Sequence, residues 1–206
     1  MFYNPFMITP HLKYETELWS KGREFICGID EVGRGCIAGP LYVGAVIFKK
    51  NCNQIEGVRD SKLLTAKARE RLSKEITKVA AATSVGFVTH EEIDGLGLTK
   101  ATKLATARAL KLLAVCPEVL LIDAFGYEDI ETISIIKGDQ VCYSISAASI
   151  IAKVERDAFI SAHPEALKYG FKENKGYGTK DHLEKLKRLG PSSIHRRSFA
   201  PLREQI

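Results

Sequence analysis

Four carboxylates stand out for where they fall. Asp30 and Glu31 end an apolar run and open a glycine-rich turn, Gly28-Ile29-Asp30-Glu31-Val32-Gly33-Arg34-Gly35. Asp123 closes Leu120-Leu121-Ile122, and Asp139 lies in Lys137-Gly138-Asp139-Gln140. Each alone reads as an ordinary turn or loop acid. If the fold gathers them, burial and mutual repulsion require cations close by. Donors that are all oxygen select Mg2+ or Mn2+ over zinc. Two such ions, about 3.5–4 Å apart, clamp a phosphodiester for in-line attack by water. Asp157 is a further acid whose spacing from Lys153 also fits an i, i+4 helix pair, so whether Asp139 or Asp157 completes the cluster stays open. There is one constraint. Neighbours on a regular strand face opposite ways, so Asp30 and Glu31 share a site only if the strand ends there and Glu31 sits in the turn.

Gly33 and Gly35 allow backbone to approach a ligand and present N–H groups to it. Gly33-x-Gly35-x-x-Ala38 loosely matches a dinucleotide fingerprint, which requires a helix directly afterwards. Pro40 and the β-like run Leu41–Phe48 follow instead, and that reading is set aside. The five cysteines are odd in number and contain no C-x-x-C pair, which argues against a disulfide framework and a zinc site.

The elements that must position these groups read as an α/β chain. Its 206 residues, 45% hydrophobic and 27% charged, are enough for one domain spanning 1–206 with a real core. Apolar runs predict strands at 25–30, 41–48, 84–88, 118–123 and 132–136, the first two pairing antiparallel. Helical patterns cover 11–21, 65–80, 99–113, 143–160 and 179–189, with one turn at 90–94. Residues 51–61 and 170–178 read as loops and KGDQ as a polar turn. Ala147-Ala148-Ser149 predicts close approach of a helix to the sheet. The sum is a mixed central sheet flanked by helices on both faces, with a C-terminal helical segment from about 160 to 206. No apolar run spans a bilayer, and Met1–Pro10 lacks the basic start and cleavage site of a leader, so the default location is the cytoplasm. A net charge of +5 is compatible with nucleic acid. No protein partner is indicated, and a monomer is the default.

These segments, taken in order, resemble ribonuclease HII. The likeness runs through GIDEVGRG and the following AGP, DSKLL (Asp60–Leu64), LLID, KGDQ, SAASIIAKVERD (Ser146–Asp157), KGYGTKDH (Lys175–His182) and HRRSF (His195–Phe199), or about residues 24 to 200. D-E-x-G-R-G together with K-G-Y-x-T-x-x-H is highly specific. The resemblance implies a ribonuclease H-like fold and an endonuclease using Mg2+ or Mn2+ on RNA/DNA hybrids and on single ribonucleotides in duplex DNA. The cut falls 5′ of the ribonucleotide at the RNA–DNA junction and leaves 5′-phosphate and 3′-OH ends. It also implies roles: Asp30, Glu31, Asp123 and Asp139 as catalytic metal ligands, and Gly33, Arg34 and Gly35 as readers of the ribose 2′-OH. Tyr177 packs on the next sugar, Ser61 and Lys62 contact phosphate, and Ser149 and Lys153 support the site from behind. His182 and His195 are expected to be structural or phosphate-contacting, and Arg196 and Arg197 to touch nucleic acid or brace the domain. Ala124 after Asp123 and Arg59 before DSK depart from the family pattern without removing a ligand. Ribonuclease HIII is the runner-up, but it departs from GRG and carries an extra N-terminal domain. A junction resolvase or a non-catalytic duplex-binding module would be the rivals from other classes.

Overall fold

The sheet is built from β1 (Ile26–Val32), β2 (Leu41–Ile47), β3 (Ala82–Val88), β4 (Val119–Ile122) and β5 (Glu131–Ser134). The helices are α1 (Lys13–Ser20), α2 (Ala66–Val79), α3 (His90–Leu96), α4 (Leu98–Leu112), α5 (Gly138–Val141), α6 (Tyr143–Ala162), α7 (Ala166–Tyr169), α8 (Phe171–Asn174) and α9 (Lys180–Leu189). They are seen in a computed structural model that describes residues 9–123 and 126–203. Ala124, most of the segment weighed as a leader, and the last three residues of the tail lie outside the described residues.

Strand order is β3-β2-β1-β4-β5. The β1–β2 and β2–β3 pairs are antiparallel, and the β1–β4 and β4–β5 pairs are parallel. The mixed sheet expected from the sequence is present, with layers on both faces. Strand alternation sorts the side chains. Cys27, Ile29, Leu120 and Ile122 point into the core shared with Ala101, Ala105 and Ala109 of α4. Ile26, Val119 and Leu121 point the other way, toward Ile145 of α6.

The small residues of α6 do what their pattern predicts. A Cβ added to Gly28 would lie 2.2 Å from the Ser144 carbonyl carbon, and one on Gly44 would lie 2.2 Å from the Ala148 oxygen. The helix therefore rests directly on β1 and β2, which brings Ser149, Lys153 and Arg156 to the end of the sheet.

Two local expectations are corrected. KGDQ is a short helix rather than a polar turn: Lys137 takes a left-handed conformation (φ 55), and the chain then winds through α5 almost straight into α6. Ser146 Oγ holds it by donating to the Asp139 carbonyl at 2.6 Å. The loop read over 170–178 contains α8, entered and left through left-handed Gly170 and Lys175. All five cysteines are free, and no helix among the described residues is long and apolar enough to cross a membrane.

Cys142 precedes α6 without capping it through its side chain. Glu15 of α1 supplies the missing acceptor from 129 residues away. Its buried Oε1 accepts from Ser144 N at 2.9 Å and Ser144 Oγ at 2.6 Å. Removing it leaves buried donors unpaired, so Glu15→Ala should destabilise the chain by about 2 kcal/mol. Urea unfolding checks this, and an unchanged midpoint contradicts it.

Candidate active site

The parallel pairing of β1 with β4 stops at Ile29↔Ile122. β1 does not stop there. It continues beside β2 through Asp30↔Gly44 and Glu31↔Val43 to Val32. The expectation that the strand ends at Asp30, with Glu31 in the turn, is therefore corrected. The two acids sit on opposite faces of a continuing strand. Both reach one cleft because β4 has ended, leaving that side of β1 uncovered, and Asp123 is the first residue beyond β4.

The cleft, about 540 Å³, is lined by Asp30, Glu31, Asp123 and Asp139. Gly33, Arg34, Gly35, Ser61, Lys62, Ser149, Lys153 and Tyr177 also border it, and Val32 and Arg69, which the sequence did not single out, complete the lining. Asp157 is held elsewhere, by Lys153 Nζ at 2.8 Å and Arg69 Nη2 at 3.4 Å.

Burial shifts the acids. Desolvation, then the neighbouring Glu31, push the Asp30 carboxyl well above the usual range, against a hydrogen bond from Ser149. Ser149 in turn lies 2.9 Å from the Ser61 hydroxyl. Glu31 is pushed up to about 7, chiefly by burial, while Arg34 (Nη1 3.9 Å from Oε1) pulls the other way. Asp123 is raised by burial and opposed by the Gly138 N–H. Asp139, 4% exposed, takes an ion pair from Lys62 Nζ at 2.8 Å. Burial draws the Lys62 ammonium down, but Asp139, Asp60 and Asp30 outweigh it and hold it charged.

Among the described residues no three His, Cys, Asp or Glu side chains converge closely enough to hold a metal ion as they stand. The cleft nevertheless fits a hard divalent ion. Its acids are all carboxylates, with no thiol or imidazole beside them, and Glu31 Oε2 is buried without a hydrogen-bond partner. An ion would satisfy that orphaned oxygen and offset the burial and repulsion that raise its neighbours.

Two loops border the acids, and backbone stitches them together. Ile37 N and Ala38 N both donate to the Gly176 carbonyl, at 2.9 and 3.2 Å, and Cys36 bridges to Tyr177. Gly33 has φ +93, and a Cβ there would lie 2.1 Å from Arg156 Nε, so only glycine fits. Tyr177, 39% exposed, lies under the Lys153 ammonium at 5.7 Å from its ring centroid. Lys62 rides on a tight turn, Ser61–Leu63, whose Ser61 and Leu64 carbonyls accept from Arg69 at 3.0 and 2.6 Å.

His182 and His195 are buried with their Nε2 atoms 3.0 Å apart. Ser192 N donates to His195 Nδ1 at 2.8 Å. The His195 proton is therefore on Nε2 and goes to His182 Nε2, which leaves His182 Nδ1 to donate to the Tyr177 carbonyl at 2.8 Å. Burial pushes His195 down to about 4 and lowers His182 as well. Both are neutral braces behind the Tyr177 loop. Arg196 is fully buried and donates to the Gly39 and Arg34 carbonyls, whereas Arg197 meets Asp94 through its backbone N–H. Sequence reading missed Arg69 and Arg156, whose only signal is a charge on an amphipathic helix.

Known proteins align with this geometry. The ribonuclease HII family profile matches residues 27–202. Ribonuclease HII of Bacillus licheniformis is 47% identical over 192 residues, 92% of this chain and 75% of that protein. Ribonuclease HII of Acholeplasma laidlawii is 45% identical, over 95% of this chain and 97% of its own length. The crystal structure of ribonuclease H2 from Pyrococcus horikoshii OT3 superposes with a TM-score of 0.68 at 31% identity, over 87% of this chain and 96% of that one.

The raised acids link stability to pH. Without metal, native Glu31 holds a proton between its ordinary 4.5 and about 7, which the unfolded chain releases. Its contribution is present below 4.5 and lost as pH rises through 7, on the order of 3 kcal/mol. A divalent ion binds the ionised acids and offsets that loss. Mg2+ should therefore raise the melting temperature above pH 7 and change it little below pH 4.5. Thermal melts in EDTA and in Mg2+ across this range check it; an increment independent of pH contradicts it.

Proposed function

The chain belongs to the ribonuclease HII family, and on that premise we propose that it cuts duplex DNA on the 5′ side of an embedded ribonucleotide. Ribonuclease H hydrolysis of a phosphodiester is the activity of its relatives and its own. The finer reading rests chiefly on one observation: the acids, the Gly33–Gly35 turn and Tyr177 face a single cleft.

The roles follow from chemistry. Asp30, Glu31, Asp123 and Asp139 would hold the metal. Mg2+ or Mn2+ bound as a pair supplies an activated water and stabilises the leaving oxygen. The Gly33–Gly35 turn offers backbone groups to the ribose 2′-OH, with Arg34 beside the adjoining phosphate. A site built to bond a hydroxyl rejects substrates lacking it by roughly 10⁴–10⁵. The ring of Tyr177 packs on the following sugar, where a hydroxyl would clash, and so demands DNA on the 3′ side. Lys62 and Ser61 contact phosphate. Ser149 orients Asp30 by donating to it, and Lys153 steadies the Tyr177 ring. Cleavage leaves a 3′-OH and a 5′-phosphate on the ribonucleotide. The chain acts as one catalytic domain, a cytoplasmic monomer, with the segment from about 160 presenting Tyr177. Removal of ribonucleotides left in DNA by replication is its natural task.

Mapping the product ends of a duplex with one internal ribonucleotide tests this reading. Wild type should leave the ribonucleotide at a 5′-phosphate end. Tyr177→Ala should keep duplex affinity and lose its preference for the junction over an all-RNA strand by roughly tenfold or more. A cut on the 3′ side, or a variant with unchanged preference, contradicts it.

A further inference from the structure

Arg156 is fully buried in α6 and has no carboxylate within ion-pair distance among the described residues. It spends its donors on three backbone carbonyls. Nε reaches Pro40 at 3.0 Å and Nη2 reaches Ala38 at 3.2 Å, both in the segment that follows the Gly33–Gly35 turn. Nη1 reaches Lys175 at 2.8 Å, on the loop that carries Tyr177. The same guanidinium lies 5.9 Å from the Tyr177 ring centroid and fills the space that a Gly33 side chain would need. One rigid group thus touches the turn, the chain behind it, the second loop and the aromatic ring.

A buried guanidinium without a counter-charge is costly, and an apolar side chain could fill the same volume. A planar fork adds fixed angles: five N–H donors in one plane hold carbonyls at set positions, which a point-charge ammonium on a flexible stem does not. Arg196 offers a contrast. It holds the Gly39 and Arg34 carbonyls and does not hydrogen-bond the Tyr177 loop.

We propose that Arg156 is a positioning residue that fixes the span between the Gly33–Gly35 turn and the Tyr177 ring, and so sets which phosphate of a ribonucleotide tract is cut. This rests on the reading that the turn senses the ribose and Tyr177 the following deoxy sugar. If the span slackens, the ring no longer registers against one sugar, and cuts spread upstream. Misplacement by about 1 Å is enough to cost up to 10²-fold in a positioned reaction.

The test uses a duplex in which a short run of ribonucleotides is followed by DNA, alongside one with a single ribonucleotide. Wild type should cut the run 5′ of its last ribonucleotide. Arg156→Lys should lower the share of cuts at that position relative to upstream ones by roughly tenfold, with a smaller loss of total cleavage. Arg196→Lys, which loosens the Arg34 carbonyl but leaves the Arg156 tie to the Tyr177 loop intact, should move the cut less than Arg156→Lys does. If Arg156→Lys melts below the assay temperature, Arg156→Gln, which still donates but buries no charge, takes its place. A folded Arg156 variant that keeps the wild-type cut position overturns the proposal, and so does failure of both variants to fold, which would make the role purely structural. Wild type that ignores the single ribonucleotide overturns the functional reading along with it; wild type that cuts it beside a variant of unchanged register overturns only this step.

Discussion

Crowding of carboxylates at the ends of two parallel strands is the constraint on which the site depends. β1 and β4 run side by side, so their C-terminal ends deliver Asp30, Glu31 and Asp123 to one place, and α5 adds Asp139. Two like charges about 4 Å apart repel by about 4 kcal/mol near a protein surface. Burial first, and the neighbouring carboxylates second, raise Asp30, Glu31 and Asp123, and the Lys62 ammonium offsets part of the charge at Asp139. Neither is full compensation, since Glu31 keeps an unpartnered oxygen. A hard divalent ion would meet the resulting demand for added positive charge. The same demand makes the site sensitive to pH.

Around this charged centre the structure relies on buried polar groups that hold backbone rather than substrate. Arg156 and Arg196 tie down the carbonyls of Arg34, Ala38, Gly39 and Pro40, and the His195–His182 pair ends on the Tyr177 carbonyl. Arg69 holds the turn that carries Lys62. Such groups let loops behave as rigid elements, because each carbonyl has a donor at fixed distance. The proposed reading of a ribose hydroxyl by the Gly33–Gly35 turn, beside the Tyr177 ring, calls for that rigidity.

The acids were legible in sequence because each stands where an apolar run stops, and the small residues of α6 announced its contact with the sheet. Other features were not legible because they depend on distant pairings. That Asp30 and Glu31 serve one cleft from opposite faces of a strand follows from β4 ending early, which no property of residues 28–35 reveals. KGDQ reads as a turn by composition, yet a left-handed Lys137 starts a helix that buries Asp139. Glu15 looks like an exposed residue of an amphipathic helix, but it caps α6. Arg156 and Asp157 adjoin in a charged stretch, and only the fold turns the first inward to the loops and leaves the second with Lys153 and Arg69.

The proposed function needs the gathered acids to hold a pair of hard cations. Counting bound Mn2+ by electron paramagnetic resonance, with an uncleavable ribonucleotide-containing duplex in place, tests it most directly. The wild-type chain should hold two spin-coupled ions, and Asp123→Asn should lose that coupling. A single isolated ion, or none, or an Asp123→Asn signal matching wild type, would contradict it.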